Sequence, residues 1–311
     1  MVNTGQYIVE KENLQKNIER LAAQSQMYFQ AKRMFLLQFI LTAVITVVLA
    51  AISIALAAFN ATVDLNWVRA SYGVVAAGVD IFLINYFINQ LRQKAACVQE
   101  LFDSDVLSLQ WNSVGCGEQP KPEDVKRYAD KYLTRVRGYD NLRNWYAKTI
   151  TDVDGPAAKI ICQRSNFAYD AAIRRSFLYW VVGISLVILL AVIIIALTVN
   201  ESARAFAAMS LFPILPILVF LARLIKEHIA SIKNLDSLNS SIMRLWSEIL
   251  SNPAADVEPT IRQVQDKLYL NRRTSPLIPE WFYGWQRPLL EKQMYYGVDG
   301  LVEQYRNARR F

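Results

Sequence analysis

Of the 311 residues, 53% are hydrophobic and only 20% are charged, and the mean hydropathy is positive. That balance is too apolar for a pair of water-soluble domains, and the low counts of Gly (11) and Pro (10) exclude collagen-like, linker-rich and low-complexity architectures in favour of long helices. The net charge of +7 requires no nucleic-acid partner, and no direct binding to DNA or RNA is expected, because anionic lipid at an inner leaflet already accounts for basic residues at helix ends.

Residues 1–33 place Leu14, Ile18 and Leu21 at helical spacing and lead into the first apolar stretch as a helical cytoplasmic extension. Residues 34–58 carry no charge, and their 25 positions exceed the roughly 20 that a helix needs to cross a hydrocarbon core. The run is too long, and starts too late, for a signal peptide. Residues 70–91 form a second apolar segment broken only by Asp80 and reached through the short loop 60–69, so 34–91 reads as a transmembrane hairpin. Residues 92–176 are a cytoplasmic helical insert. Gly115, Gly117, Pro120 and Pro122 stop one helix there, and another starts near Glu123 with Val125, Tyr128, Ala129 and Tyr132 on one face. A further helix leads from Gly155-Pro156 into the third apolar run. Residues 177–199 and 205–222, joined by 200–204, give a second hairpin within 177–224, and Pro213 and Pro216 predict a kink or a locally wet backbone in its second arm.

The C-terminal cytoplasmic region, 225–311, opens with apolar residues every three or four positions from Ile225 to Ile249, until Asn252-Pro253 stops the helix. Packing within the chain is the simpler expectation for this stripe, and coiled-coil-like pairing between subunits is the other. A short helix after Pro259, a Pro-rich turn at 276–279 and a last helix from about Pro288 to Arg306 follow. Of the 34 Lys and Arg residues, 32 lie in 1–33, 91–176 and 223–311, and only Arg69 and Arg204 lie on the short connections, which places both termini and the insert in the cytoplasm. The fold class expected is an all-α membrane protein, with four transmembrane helices as two hairpins and a helical cytoplasmic domain.

Cys97, Cys116 and Cys162 form no CxxC pair, and His228 is the only histidine, so neither a thiolate zinc site nor a two-histidine metal site is suggested. There is no GxxxxGK[ST] loop to cradle a phosphate. Neither enzymatic activity nor a cofactor or metal is expected.

Four local patterns stand at the junctions of this layout: Glu100-Leu-Phe-Asp103 running to Trp111-Asn112, then Asn144-Trp145-Tyr146, then Cys162-Gln163-Arg164-Ser165-Asn166 running to Arg174-Arg175, and last Arg272-Arg273-Thr-Ser275-Pro276 running to Pro279-Glu-Trp281-Phe282-Tyr283. In order and spacing, over roughly residues 34–294, they resemble the S-4TM family. Its members are four-helix membrane proteins regarded as pore-forming effectors beside nucleotidyltransferases that make cyclic oligonucleotides, in bacterial antiphage defence of the CBASS kind. Tyr169 stands before Asp170 where the family more usually has tryptophan, and an aromatic ring is kept. The resemblance implies an effector of the bacterial inner membrane that acts as a homo-oligomer in the lipid bilayer. Such an effector is triggered by a cyclic oligonucleotide or a partner protein, and forms a pore or disrupts the membrane. A non-conducting scaffold that recruits a cytoplasmic partner through its helical stripe is the alternative.

Read as chemistry, Asp80 is the only charge inside a span, and a carboxylate there must face protein or water. Gly73, Ala76 and Ala77 share its face, while Asn85, Asn89 and Arg92 lie on another. A polar strip with a buried acid suits a water-filled path, yet Asp80 could equally pair with Arg69 or hydrogen-bond a neighbouring helix. Arg164, with Asn166 nearby, could hold phosphate by its forked guanidinium or pair with Glu100, Asp103 or Glu280. Arg174 and Arg175 read first as interfacial anchors. Trp281 and Tyr283, near Arg272 and Arg273, could stack a base and neutralise its phosphate, or dock the tail as an aromatic belt.

Overall fold

The computed structural model describes residues 3–58, 65–198 and 212–310, and among them every regular element is a helix. Helix α1 (Thr4–Glu12) is capped by Asn3, whose side chain accepts the Gly5 N–H at 2.7 Å. Gly5 is required there, since a Cβ would collide with the Ile150 carbonyl. Helix α2 (Gln15–Phe39) passes through a π-helical turn (Ile40–Val44) into α3 (Ile45–Ala58), so the N-terminal extension and the first apolar run form one rod. The second rod has the same design: α4 (Asn66–Val79), a π turn (Asp80–Ile84) and α5 (Asn85–Val106).

The insert holds a single-turn α6 (Ser113–Cys116) and α7 (Pro122–Arg135), which starts on Pro122 with Glu123 and Asp124 in its first turn, as the helix dipole favours. Helix α8 (Gly155–Thr198) then runs unbroken from the insert through the third apolar run. Helices α9 (Phe212–Ser251), α10 (Glu258–Thr274) and α11 (Glu280–Ala308) complete the described chain.

Three of these rods contain stretches long and apolar enough to cross a bilayer, Gln15–Ser53, Trp67–Val106 and Gly155–Ile194. The expected fourth span falls largely outside the described residues, as do most of the first connection and all of 200–204. From Phe212 onward α9 continues past Pro216 without interruption.

The expected last helix, from about Pro288, begins instead at Glu280 and carries Pro288 inside it. The missing Pro288 N–H would have served the carbonyl of Gly284. Both residues are exposed, so water can take its place. Trp281 and Tyr283 therefore sit on a helix and not on a turn. Helix α11 lies antiparallel on α8: Phe282 meets Phe177 with ring centroids 5.0 Å apart, Gly297 lies under Arg164, and the Tyr305 hydroxyl accepts the Asp154 N–H at 3.4 Å.

The apolar stripe of α9 turns inward. Leu235 and Ile242 are fully buried, and with Leu238, Leu245 and Trp246 they share one core with Ile161 of α8 and Ile261 and Leu268 of α10. Each such side chain stabilises the domain by about 1.5–3 kcal/mol. That packing leaves the buried part of the stripe unavailable to a recruited partner.

Candidate functional site

Each rod of the first pair carries a π turn, and each turn meets the helix of the other rod. In an α-helix the Ile45 N–H would bond the Leu41 carbonyl; here it bonds Ile40, which frees Leu41. The Tyr72 hydroxyl of α4 donates to that freed carbonyl at 2.6 Å. Opposite, the Asn85 N–H bonds the Asp80 carbonyl in the same five-residue pattern. Gln38, buried one turn before the first π turn, donates its side-chain amide to Asp80 Oδ1 at 2.6 Å and to Asn85 Oδ1 at 3.0 Å.

On a regular helix, residues 80 and 85 would lie about 140° apart. The wider turn brings both to Gln38, which corrects the expectation that they occupy separate faces. Asp80 thus has a neighbouring-helix amide as its partner. Asn89 stands apart, exposed, and accepts from Arg92 at 2.8 Å.

A second polar assembly lies in the core away from the apolar runs, and all four sequence patterns contribute to it. Glu100 and Asp103 of α5 are 0% and 1% exposed. Arg262 of α10 donates to Glu100 at 2.6 Å, and Arg272 pairs with Asp103. Gln265 donates to Glu100 at 2.8 Å and to Asp103 at 3.0 Å, and in turn accepts from Gln163 at 3.0 Å. The Tyr146 hydroxyl donates to Asp103 at 3.1 Å and accepts from Asn166 at 3.2 Å. Burial, reinforced by Asp103, raises the Glu100 pKa, while Arg262 and Gln265 oppose that rise. Arg272 and Asn166 are thus committed to the core.

Arg164 differs. Glu100 and Asp103 are held by Arg262 and Arg272, and Glu280 by Lys32 at 2.6 Å. The Arg164 side chain lies on the opposite side, with Nη1 3.2 Å from the position a Cβ would take on Gly297, and its buried Nε has no acceptor. Burial lowers its pKa, the mark of a charge held without a counter-charge. Arg273 is half-buried. Trp281 packs edge-on to Trp180 with centroids 5.0 Å apart, and Tyr283 lies under Lys32 at 4.9 Å. The six residues expected to form a ligand site therefore do not gather in one pocket. Clefts of about 330 and 170 Å³ sit at the membrane-distal end, lined among others by Thr149 and Arg306 and by Gly155 and Arg309, and hold none of the six.

His228 is buried against the Phe177 ring, and burial together with Arg174 pushes its pKa down to about 3, so it is neutral at pH 7. Among the described residues no group of three or more His, Cys, Asp or Glu is placed to hold a metal.

Glu12, 1% exposed, accepts the Tyr146 N–H at 3.0 Å and leaves its other oxygen unpaired, and burial raises its pKa to about 8 from 4.5. The folded state therefore binds this proton more tightly than the unfolded chain. The stability it contributes is complete below about pH 4.5 and is lost as pH rises through about 8. Glu12→Gln should flatten the fall in melting temperature between about pH 5 and pH 8. A wild-type melting temperature that does not change over that window would refute this account.

A model of the SMODS-associating 4TM effector domain matches residues 6–301. Over 292 residues the chain is 28% identical to a protein described as a probable CBASS effector molecule from Bacillus cereus (strain VD146), with 90% of this chain and 92% of that one covered. No solved structure matches the chain.

Proposed function

Because this chain belongs to the SMODS-associating 4TM effector family, we propose that it is a membrane effector of bacterial antiphage defence that permeabilises the inner membrane when a cyclic oligonucleotide reaches its cytoplasmic domain. The relative described as a probable CBASS effector supports the defence role and the nature of the trigger. The observation that carries permeabilisation is the Gln38–Asp80–Asn85 cluster beside paired π turns, since π turns recur at functional sites and an acid at membrane depth needs protein or water around it. Four spans, assembly of several copies around such a path, and cytoplasmic termini complete the reading, the last supported by the distribution of Lys and Arg.

Arg164 is the residue we assign to a ligand phosphate, because it is a half-buried cation lacking an internal counter-charge. A ligand can drive the change only by binding the permeable state better than the resting one. Purified protein in liposomes should release dye on addition of one member of a panel of cyclic oligonucleotides. Arg164→Ala should weaken calorimetric binding by roughly ten- to a hundredfold, the equivalent of a charge-assisted contact of about 1.5–3 kcal/mol. Wild-type affinity in that variant would remove Arg164 from the site, and no binding to any member of the panel would remove the trigger. A cysteine at Asn112, labelled only from the cytoplasmic side, reports the orientation.

A further inference from the structure

Connections between helices normally run over the surface. Residues 275–279, between α10 and α11, do not: Ser275, Leu277 and Ile278 are 4%, 6% and 6% exposed, and Pro276 is buried as well. This loop is held from three helices, twice through its backbone and once through a side chain. Arg92 of α5 donates to the Ser275 carbonyl at 3.1 Å, Arg174 of α8 donates to the Pro276 carbonyl at 2.8 Å, and the Ser231 hydroxyl of α9 lies 2.7 Å from that of Ser275. Arg92 and Arg174 stand at the cytoplasmic ends of their apolar runs, so the loop is fastened at the level where the helices leave the membrane.

Its two apolar side chains point to different partners. Leu277 packs with Ala31 of α2, with Ile84, the last residue of the second π turn, and with Ile88 of α5. Ile278 packs with Ile173 and Phe177 of α8 and Leu224 of α9. One loop therefore wedges between the first pair of rods and the α8–α9 pair, and Leu277 shares its cluster with the residue adjacent to Asn85. Pro276 and Pro279 restrict its backbone, which makes it stiff. On its N-terminal side it is joined, through Arg273 and Thr274, to Arg272, which pairs with the buried Asp103.

We propose that residues 275–279 are a plug that shields the Gln38–Asp80–Asn85 cluster from the cytoplasm, and that displacing α10 and α11 withdraws it. That the unplugged path conducts rests on the permeabilising reading above; that the loop shields the cluster does not. The test uses the full chain in liposomes with Asn85→Cys, and follows modification of that cysteine by a cationic thiosulfonate from the cytoplasmic side, resolved from Cys97, Cys116 and Cys162 by mass spectrometry. With the loop intact the reaction should be slow. Adding Leu277→Ala should speed it about tenfold or more, equal to about 1.4 kcal/mol of lost closure. Arg92→Ala, which removes one backbone clasp and leaves the apolar wedge, should act in the same direction and serves if Leu277→Ala fails to fold. A fast reaction with the loop intact, or an unchanged slow one in a folded variant, overturns the plug. Faster modification without dye release keeps the plug and overturns the permeabilising reading.

Discussion

Arg272→Ala is expected to destabilise the protein by about 3–5 kcal/mol, because it strands the Asp103 carboxylate in the core without its cation. Tyr146 and Gln265 still reach Asp103, but neither carries a charge to offset it. Arg272→Met combined with Asp103→Leu should recover part of the loss, since a buried ion pair replaced by packed apolar groups is often close to neutral. Thermal unfolding of the detergent-solubilised protein, followed by circular dichroism, measures both. Arg164→Ala should cost much less, because no carboxylate depends on that guanidinium. Equal losses for the two arginine variants would contradict this division of roles.

Asp80→Ala should insert as well as the wild type or better, since placing a carboxylate at membrane depth carries a penalty of about 2.5–3.5 kcal/mol on insertion scales. It should nevertheless lose most of the dye release and of the toxicity on expression. Asp80→Asn keeps an acceptor for Gln38, so it separates charge from hydrogen bonding: release retained assigns the role to the bond, and release lost assigns it to the charge. Unchanged toxicity of Asp80→Ala at equal membrane abundance would return Asp80 to a purely structural role.

Much of the helical layout was legible because long apolar runs and three-to-four spacing report directly on what a helix buries. The inward packing of the α9 stripe was legible for the same reason. The π turns were not, since a five-residue closure leaves no residue-type signature, and without it Asp80 and Asn85 read as pointing apart. Gln38 was missed because it bears no charge. A lone amide in a charge-free run, on the helix facing Asp80, was the signal that could have found it. The start of α11 was misplaced because Pro288 carries the same local mark as a helix start, and only its exposed position shows that an interior proline is tolerated there. In the polar core around Glu100 and Asp103, which arginine meets which carboxylate depends on how α5, α8 and α10 are stacked, and spacing along one helix cannot settle that.

Past Arg33, Arg92 and Arg175, the three rods with stretches long and apolar enough to cross a bilayer continue as helix through their described residues. At about 1.5 Å per residue, α8 alone is a beam of roughly 66 Å, with Arg164 only about 20 Å from the start of its apolar run. Among the described residues these three rods accordingly have no swivel joint between their polar and their apolar halves, and no strap there that a protease could cut. A twist applied to the polar half of such a rod has no slack to absorb it and must reappear as rotation of the apolar half.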